Sequence, residues 1–564
     1  MMPDTTRTVL DEGTRGALCF RTDATHLFGP GAIMRVLNTS SMRSEDSAAV
    51  AWGLPALVLM ERAALACVHE ILSRWPRTAP VLCLCGPGHN GGDGMAIARL
   101  LSQRGVPTTA LLTTNPDNLP PAAALQWALL DALNDVDRVR VSDLDDDAIL
   151  RHLDDHPIWV DAILGIGVDS ELRGTVARLL ALASRSRESR RRPTAGVLAV
   201  DIPSGVDTDT AQIWGDTLRA DVTISFHAAH VGHLLPPGLA YTGELRVADI
   251  GIPSHVHTPD APTIFTLDDA RRLHQPLAVD GHKATNGRAW IRAGSDAMPG
   301  SATLSVSACL RAGAGYVHLV SEAAARTLAL THRPEIITHV PSRTLISKHA
   351  ATIDALLIGP GLEITPSHDA IEDAANLPPN VAIILDADAL TAVATGGLSS
   401  TWALRAHPRV VLTPHPGELG RLIGRSTADV MRDLPRATLT AAERWNAVVM
   451  TRTAGTIIAT PSRIVRYVQA GSPGLATAGT GDVLVGLLTG LLARMRARKA
   501  SEASSHTDAQ VMDELAEVCA YAAWIHAEAS RRARQPAISL TALDVADRLS
   551  DAFAYASAHP APGI

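Results

Sequence analysis

Aromatic residues make up only 3% of the 564-residue chain, so no run of rings is available to stack nucleic-acid bases. Positive charge is not in excess either. The formal net charge is −8, which argues against nucleic acid or an anionic membrane surface as the main partner. The six cysteines (Cys19, Cys67, Cys83, Cys85, Cys309 and Cys519) are scattered without metal-ligand spacing. They suggest buried thiols in a reducing cytoplasm rather than a disulfide framework. No apolar run is long enough to span a bilayer. Residues 1–37 mix arginines with Asp4, Asp11, Glu12 and Asp23 and have no apolar centre, unlike a secretory signal. They read as an N-terminal extension, with Met34 as an alternative start. Two polar stretches, "RSRESRRRP" (185–193) and "RMRARKASEASSHTDAQ" (494–510), read as a solvated loop and an inter-helix insertion.

What is present is a folded composition: 46% hydrophobic and 19% charged residues, in a chain too long for one ordinary core. Short apolar runs alternate with amphipathic segments. In the first half "VLCLC", "TTALLTT", "PIWVDAIL", "GVLAVDI", "DVTISF" and "ELRVADIGI" read as strands. "DGMAIARLLSQRG", "AAALQWALLDAL" and "TVARLLALASRS" read as the helices between them. A Pro- and Gly-rich stretch, "GIPSHVHTPDAP", then precedes a second strand–helix series that starts at "RAWIRAGS". The expectation is an α/β protein of two domains, each with its own core and a largely parallel sheet. The divisions fall at 1–37, 38–252, 253–269 and 270–556.

In the first half, "GPGHNGGDG" follows a strand and opens a helix. It has the glycine spacing of a dinucleotide loop but also carries Asp93, expected at the helix start as a capping acid. Asp161 and Asp201 end two further strands, and Ser204 follows the second. In a doubly wound sheet those ends form the ligand crevice. Asn90, Asp161 and Ser204 are all oxygen donors, which suits a hard cation such as K⁺ or Mg²⁺. Each could equally cap a helix. His227, His230 and His233 lack the spacing of a closed metal site and read as loop histidines.

In the second half, Gly479, Thr480 and Gly481 precede an apolar helix, leaving backbone N–H groups free to converge on an anion. Asp482 beside them is placed to take a proton from a hydroxyl during phosphate transfer, although a glycine turn with a capping Asp fits the local sequence as well.

The motifs "MERAA", "CGPGHNGGDG", "VDAILGIG", "VDIPSG" and "LLPPGLAYTGELRVADIGIP" resemble, in order, the Rossmann-like NAD(P)H-hydrate epimerase domain over about 38–252. The resemblance implies K⁺ held by Asn90, Asp161 and Ser204. It implies substrate contacts from His89, Asn90, Gly91, Gly92, Asp93, Gly165, Ile166, Gly167, Val168, Asp169, Ser170, Glu171 and Asp201. His89 departs from the family, which usually has a second Asn there. "TPHPGEL" with "GLATAGTGD" resembles the ribokinase-like NAD(P)H-hydrate dehydratase over about 270–556. This implies a hydrate site of Ala293, Gly361, His415 and Asp482, and a nucleotide site of Arg452, Thr453, Ala454, Gly455, Thr456 and Gly481. Two departures stand out: Arg452-Thr453 replaces the usual Lys-Gly, and Ala284 in "HKATNG" replaces a glycine.

Together the two resemblances imply metabolite repair. One half interconverts the R and S hydrates of NADH and NADPH (NADHX and NADPHX), with Asp161 or Asp201 shuttling protons. The other dehydrates the S form through Asp482 at the expense of ADP or ATP with Mg²⁺; the fused arrangement favours ADP. A cytoplasmic homo-oligomer binding neither nucleic acid nor membrane is expected. The rival readings are a small-molecule kinase with an accessory N-terminal domain, and a non-catalytic scaffold.

Overall fold

The computed structural model describes residues 33–133, 135–189, 196–395, 404–499, 507–533 and 535–558. Most of the N-terminal extension and parts of both polar stretches lie outside those residues, as does Cys19.

Five-residue apolar runs make the first sheet. Its strands are β1 (Val81–Cys85), β2 (Thr108–Leu112), β3 (Val136–Arg140), β4 (Ile158–Ala162), β5 (Gly196–Val200), β6 (Val222–Phe226) and β7 (Glu244–Ala248). All pair in parallel, in the order β3-β2-β1-β4-β5-β6-β7. β1, β2, β4, β5 and β6 are buried at every position, as a sheet covered on both faces requires. The order reverses between β1 and β4, so their carboxyl ends open a crevice. β3 was not expected: "VDRVR" is a half-exposed edge strand whose charges mask its pattern.

The second sheet has ten strands: β8 (Thr263–Ile264), β9 (Arg288–Arg292), β10 (Tyr316–Val320), β11 (Ile337–His339), β12 (Ala355–Ile358), β13 (Ala382–Leu385), β14 (Val410–Leu412), β15 (Val448–Arg452), β16 (Thr456–Thr460) and β17 (Arg463–Val468). β11-β10-β9-β12-β13-β14-β15 run parallel, and β16 and β17 close the far side antiparallel, with β8 added at that edge. Within 253–269, therefore, the chain already contributes a strand to the second sheet.

The halves do not have fully separate interiors. Each sheet packs apolar clusters on its faces, but one cluster joins Val231, Leu234 and Leu235 of the first half to Ile457 and Tyr467 of the second. Arg35 bridges to Thr263 and Val36 to Ala229, and Gln212 Nε2 donates to the Met431 carbonyl at 2.8 Å.

Candidate active sites

Beyond β1 the chain turns through Gly86–Gly88 into α3 (His89–Ser102), capped by Gly88. A side chain at Gly86 would strike the Ile163 carbonyl, and one at Gly91 the Gly86 carbonyl, so this turn packs backbone on backbone. Because α3 already begins at His89, Asp93 sits in its second turn and does not cap it, contrary to expectation. α1 (Thr39–Trp52) and α2 (Ala56–Arg74) cover the same end of the sheet. Together these elements enclose a cavity of about 820 Å³, within the size range of small-molecule sites. His89, Asn90, Asp93, the 165–168 loop and Asp201 line it, joined by Arg43 and Asp46 of α1.

Asp161 is fully buried and does not line the cavity. It accepts the Ser204 N–H at 2.9 Å and the Ser204 hydroxyl at 2.6 Å. Burial pushes its pKa up more than those bonds pull it down. Ser204 Oγ also accepts the Leu164 N–H at 2.8 Å, and its hydroxyl is within donating distance of the Leu164 carbonyl at 3.2 Å as well as of Asp161. The buried Asn90 amide nitrogen has no hydrogen-bond partner among the described residues. Gly165 lies close by: a Cβ there would approach Asp201 Oδ2 to 3.3 Å and Asn90 Cγ to 3.4 Å.

Asp201 follows β5 in the left-handed region, φ +67°, a conformation that costs about 1–3 kcal/mol and needs support from its surroundings. Two histidines supply it. His233 Nε2 donates to the Asp201 carbonyl at 2.9 Å, while His230 Nε2 stands 3.7 Å from the carboxylate. His230 is itself fixed by Nδ1, which donates to the Leu37 carbonyl at 2.8 Å. Burial alone would raise Asp201, but attraction to His230 and His233 brings it below the usual carboxylate range. Burial likewise opposes charge on His230, yet Asp201 raises its pKa. His233 is pushed down to about 3 by burial and by its neighbour His230. These residues are therefore not simple loop histidines: all three are buried, and two of them brace a cavity-lining acid.

The third, His227, groups with Glu45 and His257 closely enough to hold a metal. The Arg35 guanidinium already donates to both Glu45 oxygens at 2.7 Å and stands 2.5 Å from His227 Nε2, so a cation occupies that spot. Five expected contact residues lie outside the cavity wall. Gly91 and Gly92 pack against Gly86 and against Met60 and Ala123, and Asp169, Ser170 and Glu171 are exposed beyond Val168.

A second constellation forms beyond the parallel strands of the larger sheet. The helix Thr480–Lys499 starts after Gly479, which has φ +87°, and carries Asp482 in its first turn. Ser301 hydrogen-bonds Asp482, and a Cβ on Gly361 would lie 2.8 Å from Ser301 Oγ. Gly294 N–H donates to the Pro360 carbonyl at 2.8 Å, bringing Ala293 to the same point. Burial, aided by Asp386, pushes Asp482 up to about 6 against the pull of Ser301 and Arg452.

Arg452, ending β15, donates to Asp386 Oδ1 at 2.7 Å and lies 3.8 Å from Glu418 Oε2; Gly481 rests against the same guanidinium. His415 caps the helix Pro416–Ile423, its Nδ1 accepting the Gly417 N–H at 3.0 Å while Glu418 Oε2 accepts the His415 N–H at 2.9 Å. Its imidazole is half-exposed, and burial and Arg452 lower its pKa. The Thr453 hydroxyl is turned inward, donating to the Gly455 carbonyl at 2.5 Å. Ala454 lies in this turn and Thr456 begins β16. Gly455 abuts the Leu234 carbonyl of the first half.

Asp46, Arg43, His230, His233, Ser301, Asp386 and Glu418 were not singled out from the sequence as site residues. Glu418 lies inside "TPHPGEL", and His230 and His233 belong to the histidine group that reads as loop residues. Asp46 and Arg43 carry no local signal.

Two sequence families match the chain: NAD(P)H-hydrate dehydratase over residues 289–551 and the YjeF-related protein N-terminus over 56–232. The bifunctional NAD(P)H-hydrate repair enzyme of Moorella thermoacetica is 32% identical over 464 residues, covering 78% of this chain and 84% of its own. That of Salinibacter ruber is 33% identical over 487 residues, covering 81% and 88%. That of Escherichia coli is 30% identical over 462 residues, covering 80% and 83%. A solved structure, the ADP/ATP-dependent NAD(P)H-hydrate dehydratase of Bacillus subtilis co-crystallised with ATP and Mg²⁺, is 24% identical with a TM-score of 0.43, covering 52% of this chain and 98% of that one.

Proposed function

The chain belongs to the family of bifunctional NAD(P)H-hydrate repair enzymes, and on that premise we propose that it restores hydrated NADH and NADPH in two steps, one in each half. We assign interconversion of the R and S hydrates to residues 38–252 and dehydration of the S hydrate to residues 270–556. The single observation carrying this reading is that two sites occur in one chain of this family: a cavity lined by Asp93 and Asp201 beyond the first sheet, and the Gly479–Gly481 turn beside Asp482 at a helix start.

In the first site, we assign proton transfer to Asp201, which faces the cavity, rather than to Asp161, which does not. The hydrate carries its hydroxyl on the carbon next to the ring nitrogen. The nitrogen lone pair assists departure of the protonated hydroxyl as water, and water returning to the other face gives the other epimer. His89, Asn90, Asp93 and the 165–168 loop would position the ring. K⁺ suits the neighbouring donor set: Asn90, Asp161, Ser204 and the Leu164 carbonyl all offer oxygens, and the last three meet around the Ser204 hydroxyl. When bound, the ion would supply fixed positive charge near the substrate.

In the second site, Asp482 would accept the proton of the C6 hydroxyl as its oxygen takes a phosphoryl group from the nucleotide. Phosphate then leaves with the C–O electron pair while C5 gives up a proton, and the ring double bond is restored. The N–H groups around Gly479–Gly481 would receive phosphate oxygens, with Arg452 adding charge. Mg²⁺ would arrive with the nucleotide. Asp386 Oδ1 already accepts from Arg452 and Thr413, so the ion would be held chiefly by phosphate oxygens and water. We expect ADP to be the preferred donor. We also expect a homo-oligomer, since Trp52, Val58 and Leu65 on α1 and α2 are exposed, and a cytoplasmic setting, since the described cysteines are free and buried.

Absorbance at 340 nm tests the reading. Pure S hydrate with Mg²⁺ and ADP or ATP should regain NADH absorbance, and no recovery with either nucleotide would refute the dehydratase assignment.

A further inference from the structure

Epimerisation by loss and return of water moves two protons: one onto the departing hydroxyl, one off the incoming water. Asp201 can serve one of these transfers at a time. The cavity wall offers two further carboxyls, Asp93 and Asp46, on different elements. Asp93 lies in the body of α3 near the buried Cys67, and burial beside Asp201 and Asp46 raises its pKa well above the usual carboxylate range. Asp46 sits one turn after Arg43 on the cavity face of α1, where the Arg43 guanidinium covers Gly167 of the 165–168 loop. Like Asp93 it is half-buried, and it stands on the wall formed by α1, beside the 165–168 loop.

We propose that Asp46 is a second catalytic residue of the epimerase site, acting as the acid that protonates the departing hydroxyl while Asp201 is the base that receives a proton from the returning water. This rests on the epimerase reading above. In the forward step the Asp46 O–H bond breaks and its proton goes to the C6 oxygen. The C–O bond then breaks, water leaving with the electron pair as the ring nitrogen supplies a pair to C6. Water adds to the opposite face, and its extra proton passes to Asp201. The two carboxyls have then exchanged protonation states. The reverse reaction, or exchange with solvent, resets them.

The surroundings push the two groups apart in the sense an acid and a base require. Burial, with the charges of Asp201 and Glu45 opposed only weakly by His230, pushes Asp46 up to about 6, whereas His230 holds Asp201 charged. The charged groups facing Asp46 are Glu45 and Arg43 on its own helix, Asp93 on α3, Asp201 beyond β5 and His230 beyond β6.

The test uses the full chain with a mixture of R and S hydrates, Mg²⁺, K⁺ and saturating nucleotide. NADH recovery should show a fast phase from S and a slow phase limited by epimerisation. Asp46→Asn should slow the second phase about 100-fold or more, leave the fast phase within twofold, and remove a loss of wild-type slow-phase rate as pH rises above about 6. Asp46→Glu should restore at least a tenth of the rate. The inference is overturned if the Asp46→Asn variant keeps the slow phase within threefold, if both phases fall together, or if more substrate restores the rate. A wild-type enzyme with a fast phase but no slow phase beyond the uncatalysed rate would instead overturn the epimerase reading itself.

Discussion

Replacing Ser204 by Ala removes one small hydroxyl, and the structure assigns it two buried partners. The Asp161 carboxylate loses a donor at 2.6 Å, and the Leu164 N–H loses its acceptor at 2.8 Å. A bond to a charged group contributes about 1.5–3 kcal/mol, and a buried N–H left unmatched costs about 1–3 kcal/mol. The Ser204 N–H bond to Asp161 survives, so we take about 3 kcal/mol as the net loss. This corresponds to about 100-fold faster opening, readable as amide hydrogen exchange in peptides covering β4 and β5. If this oxygen set holds K⁺, wild-type protein should also exchange more slowly in K⁺ than in a bulky organic cation, and the variant should lose that difference. Unchanged exchange within threefold, together with an intact K⁺ effect, would refute both the buried-pair and the cation reasoning.

Three further outcomes follow from the geometry. His526 is buried beneath Thr480, and burial pushes it down from 6.5 to about 4. The unfolded chain therefore takes up its proton first, and stability is lost as pH falls from about 6.5 to about 4, by about 3 kcal/mol. Urea unfolding of the second half across that range should show this slope, and His526→Gln should flatten it. Asp482→Asn should cut dehydration of S hydrate by about 10²–10⁴-fold while leaving R–S exchange, followed chromatographically without nucleotide, unchanged. Gly455→Ala would drive a Cβ into the Leu234 carbonyl. It should cost about 1–3 kcal/mol and split thermal unfolding into two separate transitions, whereas a single transition at the wild-type temperature would contradict the shared interior.

Much of this was legible because strand ends carry both the fold and the chemistry. "VLCLC", "WVDA" and "VLAVD" are buried runs that stop at the residues facing the first crevice, so one pattern located the strand and the site together. The edge strands β3 and β11, and β17 next to the edge, were missed because half-exposed strands mix polar with apolar residues. The bracing of Asp201 was illegible for a different reason. His230 and His233 lie beyond the next strand, and only the parallel pairing of β5 with β6 brings them beside it. Asp46 lies on a helix in advance of the first strand, where nothing local distinguishes it from a solvated acid. The shared interior was hidden too, because Leu234 and Ile457 are far apart in sequence and each fits a domain core of its own.

The most direct test of the central claim is to give the intact protein pure R hydrate as sole substrate, with K⁺, Mg²⁺ and ADP, and to follow absorbance at 340 nm. Both halves must act in sequence for any NADH to return. The account predicts complete recovery that stops when Asp482 is replaced by Asn and slows to the uncatalysed epimerisation rate when Asp201 is replaced by Asn. Recovery no faster than spontaneous epimerisation in the wild-type protein would contradict it.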